Sequence, residues 1–418
     1  MKRNRSPLEG IKVFEITLAG VGPYVSKHLG DNGAEVIRAE SHTAIDPLRT
    51  DPPFKDNIPG PERSGWYSTA NTGKFSISLN LNKPEGVKIG ARLIQWADVV
   101  VTNLSGNVLE KWELDYKTVV KSKEKIIYFH STMFGSYGPY SSMRAYGFVG
   151  SILSGLFHLC GQPGSIPGFT MWSYPDFVMP RLGVAAIIAA LDRRRKTGKG
   201  IYIDQSQLEG TVCLLGPAIL EYSVNGRIMQ AQGNRVQYAS PHGTYPCIGR
   251  NRWVAIAVFN DMEWKALCKV MKKPAMIEDK RFSTLLDRKK NEEELDKIVS
   301  EWTQRHTPQK VESLLQEAGV SAGIVANTAD LFSDPQLKHR KHFRWLEHPV
   351  IGKHAHEAPC YLLSKTPIDL VRPGPCLGQH NKYVLKDIMG MSDTEIMELE
   401  RKKVITTEAD LPKYATTF

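Results

Sequence analysis

Short apolar segments alternate with amphipathic segments through the first half of the chain. Six strands are predicted, at residues 11–16, 34–39, 75–81, 98–101, 125–130 and 201–203. Helices are predicted between several of them, for example over residues 84–96. Strands that alternate with helices along a chain are typical of a parallel sheet covered by helices. The pattern therefore predicts an α/β fold with a Rossmann-like large domain.

The pattern changes after residue 225. A strand at residues 253–259 precedes helices at 261–271, 291–306 and 307–318, and a strand at 323–326 follows a turn at Gly319. This order of elements indicates a second, smaller α+β domain, which we place at residues 226–330. Residues 1–225 are then the first part of the large domain.

Composition and charge narrow the classes of function. The chain has 418 residues, enough for two domains, and its 41% hydrophobic content is ordinary for a globular protein. The net charge is +10, but the basic residues form no arm or stripe, so nucleic acid is not an expected partner. A small polyanionic ligand fits this charge as well. No run of about 18 apolar residues predicts a membrane span.

The cysteines and the first residues bear on the compartment. The six cysteines are scattered without a C-x-x-C pair, so we expect reduced, mostly buried thiols in a cytoplasmic protein. No apolar segment follows the basic N-terminus, and no secretory signal is expected. His354 and His356 have no carboxylate or cysteine at ligand spacing, so we expect an edge-strand surface feature and no metal.

A partial glycine motif follows the first predicted strand. Gly20 and Gly22 stand in a Gly-x-Gly pattern, and Glu40 ends the second strand about twenty residues later, as in dinucleotide-binding folds. Val25 occupies the place of the third glycine. The motif favours a Rossmann-like sheet and is weak evidence for a nicotinamide cofactor.

Asp176 precedes a predicted amphipathic helix. Val184, Ile187, Ile188 and Leu191 form one apolar helical face, and Pro180 suits the first helical turn. We therefore expect Asp176 in the loop ahead of the helix, ionised beside exposed backbone N–H groups. A simple helix-capping role is the common one for such a residue. The bulky residues before it are unusual for a capping loop; they are Phe169, Trp172, Tyr174 and Pro175.

The stretch around Asp176 resembles the signature of the class III CoA-transferases, the family of formyl-CoA transferase, carnitine CoA-transferase and the α-methylacyl-CoA racemases. The matching residues are Asp176, Ala189-Ala190-Leu191, Arg194, Thr197-Gly198-Lys199-Gly200 and Ile201-Tyr202-Ile203-Asp204. Pro180 stands where many members carry glycine. The resemblance implies that Asp176 is the nucleophile that accepts the acyl group.

The same resemblance implies a binding site for CoA. The residues that inherit this role are Gly20, Val21, Asn71, Thr72, Gly73, Lys74, Asn103, Leu104, Lys111 and Tyr146. Lys74 and Lys111 are expected to meet the CoA phosphates, and a lysine there keeps the charge of an arginine without its bidentate geometry. Backbone N–H groups near Gly20 and Val21, and at the helix start, are candidates to bind developing oxyanions.

The resemblance also bears on the reaction. Tyr146-Gly147 occupies the position of the catalytic His-Asp pair of the racemases, which favours transfer over racemisation, and the glycine run of formyl-CoA transferase is missing. We expect CoA to move from an acyl-CoA, with succinyl-CoA as a candidate donor, to a free carboxylic acid through an aspartyl-CoA thioester at Asp176. CoA and acyl-CoA are then substrates, and no permanently bound cofactor is expected. The alternatives are an acyl-CoA racemase or isomerase, and a single subunit, catalytic or not, of a heteromeric transferase.

The sequence and the resemblance also bear on the substrate acid and on the assembly. The aromatic residues before Asp176 favour a bulky or aromatic acid of the benzylsuccinate type, although core packing explains the same residues equally well. The resemblance covers residues 7–405 and implies that residues 331–418 return to complete the large domain. It further implies two interlocked subunits, as a homodimer or as a heteromer with a homologous subunit.

Overall fold

The computed structural model describes residues 6–168 and 173–406. Its main feature is a six-stranded sheet of β1 (Lys12–Ile16), β2 (Glu35–Glu40), β3 (Lys74–Ser78), β4 (Val99–Thr102), β5 (Ile127–Thr132) and β6 (Ile201–Ser206). All neighbouring strands are parallel, and their order is β3-β2-β1-β4-β5-β6. This order is that of a doubly wound, Rossmann-type sheet. The prediction of an α/β fold with a large parallel sheet is confirmed.

Helices connect these strands or follow the last of them along the chain. They are α1 (Val21–Asp31), α2 (Gly65–Ala70), α3 (Pro84–Trp96), α4 (Gly106–Lys111), α5 (Tyr116–Ser122), α6 (Gly147–Leu153), α7 (Leu156–Leu159), α8 (Tyr174–Thr197), α9 (Gln207–Cys213) and α10 (Gly216–Asn225). Short 3₁₀ turns lie at Pro47–Arg49 and Lys55–Asn57. The helix over 84–96 agrees with the sequence prediction at both ends.

Successive residues of the central strands point to opposite faces, and each face has its own core. In β1, Val13 packs with Leu29 of α1 and Ile187 of α8, while Phe14 packs with Leu93 of α3. Strands buried on both faces explain why the sequence shows short apolar runs here. Two helical layers therefore enclose the sheet and fix the positions of its carboxyl ends.

Helix α8 is long and apolar enough to cross a membrane by length and composition alone. In this fold it packs against α1 and β5, and Gly183 lies so close to Phe129 that an added Cβ would be 2.7 Å from the ring. Leu182 and Ile188 are exposed on its other side. The helix thus has one face in the core and a second apolar face outside it.

A smaller unit contains the antiparallel sheet β7-β8-β9, formed by β7 (His242–Pro246), β8 (Trp253–Ala257) and β9 (Ser321–Ile324). Its helices are α11 (Asp261–Val270), α12 (Leu285–Lys290), α13 (Glu292–Thr303), α14 (Pro308–Glu317), α15 (Thr328–Ser333) and α16 (Pro335–His339), with a 3₁₀ turn at Pro274–Ile277. A separate core around Trp264, Phe282 and Leu315 stabilises this unit.

The last part of the chain returns to the large sheet. It contains the hairpin of β10 (Phe343–His348) and β11 (Gly352–Glu357), a π-helical turn at Tyr383–Ile388 and α17 (Asp393–Arg401). Along the outer edge of β3, the Ser76 N–H donates to His380 Nδ1 and the Ser78 N–H donates to Asn381 Oδ1. The return segment therefore satisfies hydrogen-bonding groups that an edge strand would otherwise expose.

The contacts divide the chain into two compact units. One comprises residues 1–156, 170–220 and 338–418, and the other comprises residues 157–169 and 221–337. The sequence prediction placed the boundaries at 225 and 330 and kept 157–169 in the large domain. None of the six cysteines, all within the described ranges, forms a disulfide. Only Cys247 and Cys268 among them are buried, fewer than expected.

Candidate active site

The candidate site lies where the order of the parallel strands reverses. β1 and β4 are neighbours, but the chain leaves them toward opposite sides of the sheet. Ligands of such sheets bind in the crevice outside the carboxyl ends of the two strands. Residues 17–20 follow β1 and Asn103 follows β4, so both segments border this crevice.

The loop after β1 is held by side chains from other segments. The Leu18 N–H donates to Asn103 Oδ1 at 2.9 Å, and Asn103 Nδ2 donates to the Leu18 carbonyl at 2.6 Å. The Ala19 N–H is 3.2 Å from both carboxylate oxygens of Asp46. Asn103 was predicted to contact CoA; its amide binds the loop, and the CoA contact stays a prediction.

Asp176 lies in the first turn of α8 and not in the loop ahead of it. The helix begins at Tyr174, six residues before Pro180, so the prediction that Pro180 occupies the first turn is wrong. Pro180 has no N–H to donate to the carbonyl of residue 176, and its ring disfavours a regular turn there. The backbone carbonyl of Asp176 therefore lacks the helical N–H donor four residues further on.

Two glycines enclose the carboxyl group of Asp176. A Cβ added to Gly20 would lie 2.6 Å from Asp176 Cγ, and one added to Gly147 would lie 2.5 Å from Asp176 Oδ2. Such distances are too short for any side chain, so both positions require glycine in this packing. Gly20 ends the loop after β1 and Gly147 begins α6. The backbones of two separate elements therefore approach one carboxyl group.

Burial changes the ionisation of Asp176. Desolvation raises the pKa of this carboxyl to about 6, and a hydrogen bond from Ser173 acts in the opposite direction. The helix start was expected to keep the carboxyl fully ionised, but burial is the larger effect. A carboxylate with a pKa near neutrality in a crevice is typical of functional sites.

Aromatic side chains lie beside Asp176. The rings of Tyr24 and Phe177 are 5.4 Å apart, and Trp66 Nε1 donates to the Tyr24 hydroxyl at 3.2 Å. Burial, with the nearby charge of Asp176 among the smaller causes, raises the pKa of Tyr24 to about 12, so the phenol is neutral. Phe169 and Trp172, two of the aromatic residues singled out in the sequence, lie outside the described residues.

Lys74 is an interior residue. Its side chain is 0% exposed, its ammonium lies 2.9 Å from Glu15 Oε2, and it also donates to the Pro23 carbonyl and to Asn71. Burial lowers the pKa of Lys74 to about 8, against the opposing effect of Glu15. The expectation that Lys74 meets the CoA phosphates is corrected, because its charge is paired with a buried carboxylate.

The three residues before Lys74 are also buried. Asn71 Nδ2 donates to the Tyr67 carbonyl, and the Thr72 hydroxyl bonds both Lys27 and Asp31. Gly73 has a φ of 76° and donates its N–H to the Arg372 carbonyl. These contacts join α1, β3 and the return segment. Their polar groups have partners within the fold, which corrects the expectation that this segment faces CoA.

The remaining predicted contacts with CoA differ in exposure. Val21 is buried at the start of α1, and Leu104 is half-buried, with its carbonyl 2.7 Å from His130 Nε2. Lys111 is exposed at the end of α4, and Tyr146 is 73% exposed just before α6. For Val21, Leu104, Lys111 and Tyr146, contact with CoA stays a prediction.

A buried charge network lies under the loop after β1. Arg38 contacts Glu15 and Asp46, and Arg49 binds Glu40 at 2.8 Å and Glu62 at 2.6 Å. Glu40 also accepts a hydrogen bond from Tyr67, so the acid that imitated the dinucleotide motif already has partners. Sequence reasoning missed this network, although Asp46 and Arg49 stand in a loop unusually rich in charge.

The histidines near β10 and β11 are not a surface feature. His356 is 1% exposed, which corrects the expectation from the sequence. In the described part of the chain, Glu62, His348 and Cys376 bring their possible metal-ligand atoms within 4.8 Å. His348 Nδ1 accepts from two backbone N–H groups at 3.1 Å, so Nε2 carries the proton and is no ligand. These residues fit a hydrogen-bonded cluster better than a metal site.

Fold and site together indicate an α/β enzyme with a crevice at the reversal of a parallel sheet, beside the half-buried carboxyl group of Asp176. The chain belongs to CoA-transferase family III, whose sequence profile matches residues 8–381. It is a class III CoA-transferase that uses CoA thioesters as substrates. The resemblance noted in the sequence is confirmed.

Relatives with named activities and solved structures agree with this family. The succinyl-CoA:glutarate CoA-transferase of Homo sapiens is 32% identical over 397 residues, 95% of this chain and 89% of the relative. The succinyl-CoA–D-citramalate CoA-transferase of Chloroflexus aurantiacus is 28% identical, and the match covers 97% of this chain and 99% of the relative. A CAIB/BAIF family protein from Brucella suis has a similar structure, with a TM-score of 0.86 and 28% sequence identity. The match covers 92% of this chain and 100% of the Brucella suis chain. These names favour transfer over the racemase alternative.

Proposed function

We propose that Asp176 is the nucleophile of a CoA transfer between two carboxylic acids. A carboxylate oxygen of Asp176 attacks the thioester carbonyl of the donor, the C–S bond breaks, and CoA thiolate leaves. The product is a mixed anhydride between Asp176 and the donor acid. The thiolate then attacks the aspartyl carbonyl and displaces the donor acid as its carboxylate, which leaves an aspartyl-CoA thioester.

The second half reverses these steps with the acceptor. The acceptor carboxylate attacks the aspartyl thioester and releases CoA thiolate, so a second anhydride forms. The thiolate attacks the acyl carbon of the acceptor, and the free carboxylate of Asp176 returns. The complete reaction takes up no net proton, and none of its steps needs a permanently bound cofactor. Each tetrahedral step develops an oxyanion, for which backbone N–H groups near Gly20 and Val21 are candidate donors.

The observation that carries this proposal is the enclosure of Asp176 by Gly20 and Gly147. A carboxylate with little room around it, and a pKa raised to about 6 by burial, is poorly solvated and therefore a better nucleophile than an exposed one. A capping role alone gives no reason for two other backbones to approach the same carboxyl group.

We propose succinyl-CoA as the donor and a small dicarboxylic acid as the acceptor. The two named relatives transfer from succinyl-CoA to glutarate and to D-citramalate. Acids of the benzylsuccinate type are the second class to test, because Tyr24 and Phe177 place aromatic rings beside Asp176. A panel of free acids with succinyl-CoA, followed by mass spectrometry of the acyl-CoA products, separates the two classes.

We further propose that the enzyme is a cytoplasmic dimer of interlocked subunits. Leu182 and Ile188 of α8, Ile152 of α6 and Leu214 after α9 are exposed apolar residues of the large unit. Exposed apolar surface of this kind is typical of protein interfaces. A second copy of the chain is the proposed occupant, and a homologous subunit is the alternative. Sedimentation of the purified protein, alone and with a co-expressed homologue, tests both.

A covalent adduct is the direct test of the mechanism. Donor acyl-CoA alone should leave an acyl or CoA adduct on the enzyme. Hydroxylamine should convert the adduct to a hydroxamate, and peptide mapping should place this hydroxamate at Asp176. The Asp176→Ala variant should lose transfer almost completely and still bind CoA, because only the covalent step is removed. A folded Asp176→Ala protein with near-normal turnover would contradict the proposal. A capping role predicts instead a stability loss of about 0.5–2 kcal/mol with turnover kept.

A further inference from the structure

The loop after β1 adopts a conformation that its own sequence does not favour. Ala19 has a φ of 56°, in the left-handed region that non-glycine residues seldom occupy. Gly20 follows immediately and forms one wall of the space around Asp176. The backbone angle at Ala19 therefore decides where the Gly20 backbone lies relative to the nucleophile.

Asp46 contacts the loop at this residue. Both of its carboxylate oxygens accept from the Ala19 N–H at 3.2 Å, and Oδ1 also accepts from the Leu48 N–H at 2.8 Å. Asp46 is fully buried, and Arg38 donates to its Oδ2. Its own N–H donates to Glu40 Oε1 at 3.0 Å. The carboxylate is thus fixed from three sides and cannot follow the loop if the loop moves.

We propose that Asp46 is a positioning residue for the transfer reaction. It holds Ala19 in the left-handed conformation and thereby fixes the Gly20 backbone against Asp176. Asn103 binds the backbone of Leu18, so the loop is anchored both at the strained residue and at the residue before it. The inference rests on the proposed function of Asp176 as nucleophile. A displacement of about 1 Å at a reacting group can cost about 10²-fold in rate.

The Asp46→Asn variant tests this role. The side chain keeps its shape, but its amide N–H groups would face the Ala19 N–H or Arg38, which are themselves donors. We expect kcat to fall by about 10- to 100-fold, with a slower rate of adduct formation on donor acyl-CoA alone. We expect the KM of the acyl-CoA to change little, because the substrate's contacts remain.

Glu62→Gln is the matched control. Glu62 is a buried carboxylate of the same charge network, but it binds Arg49 and the Leu377 N–H, away from the loop. Both variants remove one buried negative charge, so both should lower the thermal midpoint. Only Asp46→Asn should lower kcat. Equal losses of kcat in the two variants, or an unchanged kcat in a folded Asp46→Asn protein, would overturn the positioning role.

A second variant keeps the test decisive if Asp46→Asn does not fold. Ala19→Val leaves every charge in place, but a β-branched residue cannot adopt a φ of 56° without strain. The same loss of kcat is expected, and an unchanged kcat would overturn the inference. The proposed mechanism fails separately. If the wild-type enzyme forms no adduct, Asp176 is no acyl carrier, while the comparison of kcat values still decides the role of Asp46.

Discussion

At the scale of single residues, Asp176 experiences two opposing effects. Its place in the first turn of α8 favours the carboxylate through the helix dipole, and burial favours the neutral acid. Burial is the larger effect, so the pKa is raised to about 6. The carboxylate is therefore still the main form at neutral pH, but its solvation is weak. This combination suits a nucleophile that must leave again as a carboxylate.

The raised pKa predicts an acid limb in the rate. We expect kcat/KM to fall as the pH drops through about 6, because the protonated carboxyl of Asp176 does not attack a thioester. Initial rates measured between about pH 5 and 8 would show this limb. Enzyme returned from pH 5 to neutral pH should recover full activity, which separates titration from unfolding. A flat profile over this range would contradict the assignment.

The glycine pair around Asp176 gives a second prediction. Gly147→Ala should reduce transfer by about 10²-fold or more, because the new Cβ would overlap Asp176 Oδ2 and displace the carboxylate. Gly106→Ala is the control, since a Cβ there meets nothing within 4 Å at the start of another helix. Steady-state rates and the yield of covalent adduct measure both. Similar activity of the two variants would mean that the carboxylate tolerates displacement.

At the scale of elements, the sequence predicted the strands and most helices well, and it predicted the contacts between distant segments less well. Apolar runs and caps are local signals, and they located the six parallel strands to within a few residues. The start of α8 was missed because Pro180 was assigned by its usual position, whereas the fold tolerates it inside a helix. Lys74 was misjudged for a different reason. Nothing in the local pattern reveals that Glu15, on a strand two positions away in the sheet, is its partner.

The edge of β3 provides a prediction for an element. Asn381→Ala removes the acceptor of the buried Ser78 N–H, and a donor to the Thr406 carbonyl is lost with it. We expect the free energy of unfolding to fall by about 1–3 kcal/mol, because the buried N–H is left without a partner. Gln379→Ala is the control, since its side chain is exposed and water can replace the hydrogen bond that it accepts from the Cys376 N–H. Denaturant titration of both proteins measures the difference, and equal stabilities would show that the edge is covered without Asn381.

At the scale of the whole molecule, neutral histidines are part of the core. Burial lowers the pKa of His28, His348 and His380 to about 4, and that of His356 to about 3, from an ordinary value of 6.5. The unfolded chain therefore binds more protons than the folded chain between about pH 4 and 6.5. The stability that these groups contribute is present above pH 6.5 and is lost as the pH falls toward 4.

We therefore expect the thermal midpoint to decrease steadily between pH 6.5 and 4. Carboxyl groups act in the opposite direction, since burial raises the pKa of Asp176 and of Asp46 to about 6 and so favours the folded state at lower pH, but the four histidines shift further from their ordinary value. Differential scanning calorimetry at several pH values measures the slope. Replacing His356 with glutamine should reduce the slope of the thermal midpoint against pH. A midpoint independent of pH would show that these histidines have the same pKa in the folded and the unfolded state.

The hydrogen bonds along the edge of β3 also set an order of events during synthesis. Their donors and acceptors are separated by 304 residues for Ser76 and His380 and by 303 for Ser78 and Asn381. A ribosome that adds about 5–20 residues per second needs about 15–60 s to cover this distance. For that time the edge of the parallel sheet has no native partner and can pair with other nascent chains. Yield of this enzyme in a heterologous host should therefore depend on chaperones that protect the edge of β3 while residues 79–381 are made.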